Sequence, residues 1–229
     1  AHRDLHSFPT RRSSDLGGLN KADRQDSEGL DRVQYGLPYG QDAVIEALAA
    51  ATDKLVVVNI SGNAVAMPWV EQVPAIVQDW YLGTQAGHSL ADVLSGDVNP
   101  SGHLPFTIPV SYADNPVQTE AQYPGILRNG TIDGMPVLDM EYTEGIYVGY
   151  RWYDIHGGVL FPFGYGLSYT TFEFGEPRIS KKSMKEDGTV TVTVPIKNTG
   201  SVAGAEVVQL YVADEEASVG RPAKELKGF

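Results

Sequence analysis

The sequence contains no cysteine, which excludes disulfides, thiolate nucleophiles and cysteine-ligated zinc from its chemistry. Compartment is untouched by that absence, because larger secreted domains manage without disulfides. Basic residues are scarce: 17 Lys and Arg stand against 29 Asp and Glu, a formal charge of −12. Such a field repels phosphate backbones and anionic bilayer surfaces, so neither nucleic acid nor a membrane is expected as a partner. Long apolar runs are missing too. A spanning helix needs ~18 apolar residues, whereas stretches such as Leu55 to Val58 are short and strand-like. The histidines show no H-x-x-x-H spacing: His88, His103 and His156 are scattered, and the other two fall near the N-terminus. No metal and no cofactor is therefore expected.

A chain of 229 residues exceeds one typical domain and predicts two. Its N-terminal string, Ser7-Phe-Pro-Thr-Arg-Arg-Ser-Ser-Asp-Leu16, has neither apolar periodicity nor the apolar core of a signal peptide. That string resembles the translation of a sequencing-adapter oligonucleotide. Residues 1–16 are accordingly expected to be an assembly artefact, disordered and outside any functional argument. The abrupt start at Gly17 and the stop at Phe229, within a strand pattern, lead us to expect truncation at both ends.

The remainder of the chain is strongly patterned. Gln41 to Thr52 places Val44, Ile45, Leu48 and Ala49 at helical spacing. Leu55-Val-Val-Val-Asn-Ile60 is a continuous β-rich run of the kind found in doubly covered parallel strands, and Ala75 to Trp80 repeats it. Ala86 to Leu94 aligns Leu90, Val93 and Leu94 on one face and predicts a second helix. Helix, strand, strand, helix implies an α/β sheet. Between Val110 and Met140 the turn-forming Asp114-Asn-Pro116, Tyr123-Pro-Gly125 and Asn129-Gly130 predict a long surface loop. After Phe161 to Tyr169 the texture becomes alternating, in Thr189 to Val194 and Val207 to Val212, which predicts part of an antiparallel sandwich. Pro and Gly are dispersed, with no linker between the parts, so the two modules are expected to pack closely.

The densest chemistry lies in Asp26-Ser-Glu-Gly-Leu-Asp-Arg32. A retaining glycosidase needs one carboxylic acid to protonate the leaving oxygen and a second carboxylate ~5 Å away to attack the anomeric carbon. Glu28 could serve as that acid, Gly29 would allow a sugar ring to approach, and Arg32 could pair with Asp31 or Asp26. On composition alone, a charged loop is more often a solvated one.

Several segments, in order, carry a resemblance. They are Gly18-Leu-Asn20, Ser27 to Arg32, Leu37-Pro-Tyr-Gly-Gln-Asp42, Asn63 to Trp69, Ala75 to Gly83, Ala91 to Gly102, Leu104-Pro-Phe106 and Glu144 to Asp154, together with Phe161 to Tyr169. The sequence thereby resembles the C-terminal domain of glycoside hydrolase family 3 enzymes of β-glucosidase type. From Phe172, the segments Val194 to Gly200, Val207 to Tyr211 and Arg221 to Phe229 resemble the fibronectin type III-like module that comes after that domain. The resemblance implies an α/β fold, a three-layer α/β sandwich over residues 17–170, followed by an incomplete immunoglobulin-like β-sandwich over 171–229. It also implies a retaining β-glycosidase whose aspartate nucleophile sits on an N-terminal (β/α)8-type barrel, with Glu28 matching the acid/base glutamate. Where the family often has an aromatic residue this sequence has Leu30, which puts aglycone preference in question. The expected partners are a β-linked glucoside or oligosaccharide and the barrel domain, which these residues lack, so the chain alone is expected to be inactive. Relatives of this type favour a periplasmic or secreted location. The alternative from another class is a non-catalytic carbohydrate-binding or protein-interaction module.

Other candidates have plainer readings. Glu141 and Glu144 fit strand-edge solvation or an ion pair better than a second catalytic pair. Trp69, Trp80, Tyr81 and Trp152 could be sugar platforms, but core packing is the commoner fate of large aromatics. The stretch from Tyr112 to Asp139, with Tyr123 near its middle, either borders the substrate entrance or is a solvated connection. Asn129-Gly-Thr131 matches an N-glycosylation pattern that carries little weight.

Overall fold

A computed structural model describes residues 13–20, 25–26, 29 and 31–229. Three parallel strands lie at its centre, β1 (Ser13–Gly18), β2 (Leu55–Ile60) and β3 (Ala75–Asp79), hydrogen-bonded in that order. The middle strand is the aliphatic run read from the sequence, and its Leu55, Val57 and Val58 are fully buried. Helix α1 (Gln41–Ala51) precedes β2 and packs Ile45 into the same core, with Leu48 and Ala49 beside it. Val44, placed on that inner face by its spacing, is half exposed instead: the buried stripe is centred on Ile45, and Val44 sits at its margin. Trp69 closes the core from the segment after β2, fully buried, its indole Nε1 donating to Asp42 Oδ1 at 2.8 Å.

The expectation that residues 1–16 stand apart from the fold is corrected for Ser13–Leu16. Their backbone pairs in register with Leu55–Val58, and the strand continues to Gly18 opposite Ile60. Ladder bonds are carried by backbone groups, so Ser-Ser-Asp can occupy a position where an aliphatic run would ordinarily be found. Residues 1–12 lie outside the described residues. The end of β1 is tight: a Cβ on Gly18 would clash with the Ile60 carbonyl oxygen, and its φ of +151° suits glycine. Gln41, at the start of α1, brackets the same residue, accepting from the Gly18 N–H at 2.7 Å and donating to its carbonyl at 3.0 Å.

Helix α2 (Ala86–Ser95) follows β3, half-burying the predicted face of Leu90, Val93 and Leu94, and ends at Gly96 in the left-handed region. Short β4 (Ile108–Pro109) later pairs with β7 (Val159–Phe161). Between them, within the stretch read as a long surface loop, β5 (Ile126–Ile132) and β6 (Met135–Asp139) form an antiparallel hairpin that the sequence reading did not expect. Asp133 and Gly134 turn it, with φ of 53° and 79°, as a tight primed hairpin turn requires. The Asn129-Gly130 turn signal marks a register shift between Arg128 and Thr131 instead. Helix α3 (Tyr150–His156) completes this part.

Beyond Thr170 the chain forms short antiparallel pairs only. These strands are β8 (Phe172–Phe174), β9 (Arg178–Ile179), β10 (Val192–Thr193), β11 (Ile196–Asn198), β12 (Leu210–Val212) and β13 (Glu225–Gly228), paired 8 with 11, 9 with 10 and 12 with 13. The alternating run Thr189 to Val194 contributes only Val192–Thr193 to a ladder, and Pro195, which has no N–H, separates β10 from β11. The whole is therefore a mixed α/β structure with a parallel sheet and small antiparallel ones. The two parts pack closely, as expected. Tyr150 of α3 stacks on Phe163 (5.3 Å), meets Tyr211 edge-on (5.8 Å) and accepts from the Leu226 N–H (2.8 Å). Lys224 pairs with Asp154 at 3.3 Å and His103 Nε2 lies 2.9 Å from Glu206.

Because Ile45 is fully buried and its neighbour Val44 is half exposed, the two give a matched test. Ile45→Ala should cost about 2–5 kcal/mol in urea unfolding and Val44→Ala under ~1 kcal/mol. Equal costs would contradict the assignment of the buried face.

Candidate active site

The carboxyl ends of parallel strands are where open α/β sheets bind ligands, and here three connections converge on that edge. The segment after β1 carries Asp26, the turn after β2 carries Ser61, Gly62 and Asn63, and Tyr81 lies just past β3. Asp26 ties them together. Its Oδ2 accepts from the Gly62 N–H at 2.5 Å and from the Tyr81 hydroxyl at 2.7 Å, and its Oδ1 from Asn63 Nδ2 at 2.8 Å. A glycine at 62 permits this, since a Cβ there would stand 2.8 Å from Oδ2. Five residues on, Asp31 accepts from the Tyr123 hydroxyl at 2.7 Å. Glu28 itself, with Ser27 and Leu30, lies outside the described residues, while the anchors on either side of it are described.

Arg32 does not pair with Asp26 or Asp31 as expected. It points inward, its Nη2 donating to the Ala64 carbonyl at 2.6 Å, and its Nη1 is buried without a hydrogen bond among the described residues. Burial lowers the guanidinium's pKa, opposed by the attraction of Asp26 and then of Tyr35 and Tyr81. Tyr35 donates to the Pro109 carbonyl at 2.8 Å, and burial pushes its phenol up. Tyr81 is pushed up to about 12, first by desolvation and then by the hydrogen bond to and the charge of Asp26. At the end of β3, burial also raises the Asp79 carboxyl.

Beneath this edge lies a polar network that the sequence reading missed. Asn59 Nδ2 donates to Gln78 Oε1 (2.7 Å) and Ser61 Oγ (3.3 Å), Gln78 Nε2 donates to Ser61 Oγ (3.1 Å), and Ser61 Oγ donates to the Asn63 carbonyl (2.9 Å). It locks the exits of β2 and β3 together. The available signal was Asn59, a buried amide in an otherwise aliphatic strand.

Of the candidate aromatics, Trp69 is core, Trp80 packs edge-to-face on Phe106 (5.5 Å), and Trp152 stacks on His156 (3.8 Å) while donating to the Asp114 carbonyl. Tyr81 departs from the core reading: it is half exposed and belongs to the Asp26 cluster. Tyr123 also walls a pocket of about 370 Å³ shared with Tyr112, Gln122, Met140, Tyr142 and Glu144, where Glu144 Oε2 is buried without a hydrogen bond among the described residues. Among the described residues no group of three or more His, Asp or Glu could hold a metal ion, and no helix is long and apolar enough to cross a membrane.

Residues 16–150 match the glycosyl hydrolase family 3 C-terminal domain and residues 206–229 a fibronectin type III-like domain. The chain is 54% identical to the β-glucosidase BoGH3A of Bacteroides ovatus over 93% of its own length and 28% of that protein's. It is 46% identical to thermostable β-glucosidase B of Acetivibrio thermocellus over 90% of itself and 26% of the relative. Among solved structures, the β-glucosidase of Kluyveromyces marxianus in complex with glucose superposes with a TM-score of 0.78 at 41% identity, over 95% of this chain and 24% of that one. The family 3 β-glucosidase of Bifidobacterium adolescentis gives 0.80 at 38% identity, over 95% and 30%. The chain thus spans about a quarter of the length of the curated relatives it matches.

The Asp26–Tyr81 bond has a titration signature. A phenol raised from its ordinary value near 10 to about 12 contributes stability that is fully present below pH ~10 and is lost as pH rises toward 12. In an ultraviolet tyrosinate titration, Tyr81→Phe should remove one phenol from the late-titrating fraction and leave the fraction near pH 10 unchanged. Loss from the fraction near pH 10 would show that the bond to Asp26 does not hold in solution.

Proposed function

The chain belongs to glycosyl hydrolase family 3, supplying the C-terminal domain and a fibronectin type III-like segment, and from that premise we propose that it is the acid/base-bearing part of a retaining β-glucosidase-type enzyme. In this reading residues 17–170 are the family's three-layer α/β sandwich and 171–229 its fibronectin type III-like module. Glu28 protonates the glycosidic oxygen as the bond to the anomeric carbon breaks. It then takes a proton from the water that hydrolyses the glycosyl-enzyme. The carboxylate that attacks the anomeric carbon comes from an N-terminal barrel domain, so catalysis requires both parts. The substrates are β-glucosides or short β-linked gluco-oligosaccharides, cut at the non-reducing end.

The observation that carries this reading is the pinning of the loop on both sides of Glu28, by Asp26 to Gly62, Asn63 and Tyr81 and by Asp31 to Tyr123. A general acid must be held within hydrogen-bond reach of the leaving oxygen. A loop so anchored at the ligand-binding edge of a sheet supports that role better than it supports a solvated turn. The glucose complex of the Kluyveromyces marxianus β-glucosidase fits the substrate class.

The test compares hydrolysis of p-nitrophenyl β-glucoside by this chain alone, by this chain joined to a family barrel domain, and by that assembly carrying Glu28→Gln. Only the second should turn over normally, with Glu28→Gln lowering kcat/KM by roughly 10²-fold or more, and azide should partly restore a Glu28→Ala form. Activity of the chain alone, or a silent Glu28→Gln, would overturn the mechanism. Sugar binding by the chain alone, with no turnover in any form, would favour a non-catalytic binding module.

A further inference from the structure

The stretch from Tyr112 to Glu144 folds back on itself around the pocket of about 370 Å³ walled by Tyr112, Tyr123, Met140 and Tyr142. Two glutamines hold that wall in place. Gln118 donates through Nε2 to the Tyr112 and Asn115 carbonyls, both at 2.8 Å, and Gln122 donates to the Pro116 carbonyl (3.0 Å) and to Thr143 Oγ1 (2.6 Å). The Glu141 N–H closes the far side onto the Ala121 carbonyl at 2.9 Å, and the Tyr123 hydroxyl is tied to Asp31 at 2.7 Å. The pocket is therefore preformed, and every residue that lines it lies between positions 112 and 144 of this chain.

What the pocket leaves unused has a definite chemistry. Tyr112, Tyr123 and Tyr142 are half to three-quarters exposed, although rings of that size gain most from burial. Among the described residues the Tyr112 and Tyr142 hydroxyls and Asn115 Nδ2 have no hydrogen-bond partner, whereas Asn115 Oδ1 is taken by the Val117 N–H at 2.9 Å. Glu144 adds a carboxylate whose Oε2 is likewise without a donor among the described residues, and no basic side chain lines the pocket. Aromatic rings beside unused donors and an unused acceptor match a pyranose ring, which has an apolar C–H face and hydroxyls that both donate and accept. A hydrocarbon would strand the polar groups, and an organic cation would suit Glu144 and the rings but leave the donors unmatched. We propose that this pocket is a carbohydrate site that holds one pyranose unit, with Tyr142 as the stacking platform and Glu144 accepting from a ring hydroxyl. The site goes beyond the function proposed above: it needs neither Glu28 nor the barrel domain, and binding there is not a step of hydrolysis.

The experiment titrates the whole 229-residue chain with methyl 1-thio-β-glucoside, a sugar that resists hydrolysis, and follows backbone amide shifts by NMR. Shifts at residues 115, 122 and 141–144 should saturate together with a Kd on the order of 1–10 mM, as expected of one ring held by a stacking contact and a few hydrogen bonds. Tyr142→Ala should weaken binding about threefold to tenfold and Glu144→Gln about tenfold, while Glu46→Gln, on α1, should leave it unchanged. Tyr142, at the surface, decides the matter if the Glu144 variant fails to fold. Three results would overturn the proposal: no saturable shift at these residues, binding that ignores both pocket variants, or tighter binding of methylguanidinium than of the sugar, which would make this a cation site. No turnover is read, so the outcome is separate from that of the Glu28→Gln assay. Either can fail while the other stands.

Discussion

Asp26 is an acceptor-only side chain to which three donors from distant parts of the chain converge: the Gly62 amide, the Asn63 side chain and the Tyr81 hydroxyl. Two of those donors come after β2 and one after β3, so a single carboxylate joins the connection after β1 to the exits of both other parallel strands. Hydrogen bonds to an ionised acceptor are the stronger kind, and truncating one partner strands the others. The effects are local and legible: Tyr81 is drawn away from the core, its phenol resists ionisation, and Gly62 must lack a side chain. The position of Asp26 is thereby tied to the exits of both neighbouring strands.

Beneath the knot the structure supplies rigidity in layers. Ile45, Leu55, Val57 and Trp69 form a core with almost no exposure. The network of Asn59, Ser61 and Gln78 carries that rigidity to the strand exits. Elsewhere, α3 is stitched to the C-terminal strands by Tyr150 and by the Lys224–Asp154 and Arg151–Glu225 pairs. Such exposed ion pairs contribute little individually, and the aromatic contacts of Tyr150 with Phe163 and Tyr211 account for more of that interface.

How legible each feature was in the sequence depends on how it is encoded. Helix α1, strands β2 and β3 and helix α2 were readable because burial imposes period 3.6 or a continuous aliphatic run. Strand β1 was not, because Ser13-Ser-Asp15 joins the sheet through backbone bonds that leave no trace in side-chain pattern. The hairpin escaped because Pro136 and the shift between Arg128 and Thr131 break its alternation, although Asp133-Gly134 was a usable turn signal. The Asp26-to-Arg32 segment could be picked out by composition and by its resemblance to family 3. Its wiring could not, since the donors to Asp26 lie 36, 37 and 55 positions away and no local rule couples such distances. Arg32 shows the same limit: a neighbouring carboxylate looked like its partner, and a backbone carbonyl 32 residues on is what it meets.

The central claim, that Asp26 ties the connection after β1 to the exits of β2 and β3, is tested most directly by amide hydrogen exchange on Asp26→Ala. The account predicts that exchange rises together at residues 61–64 and 29–33, by roughly tenfold or more, a shift corresponding to loss of hydrogen bonds worth about 1.5–3 kcal/mol. Protection in α1 and β2 should stay as it was. Unchanged exchange at the Gly62 amide, or a uniform rise across the chain, would contradict it.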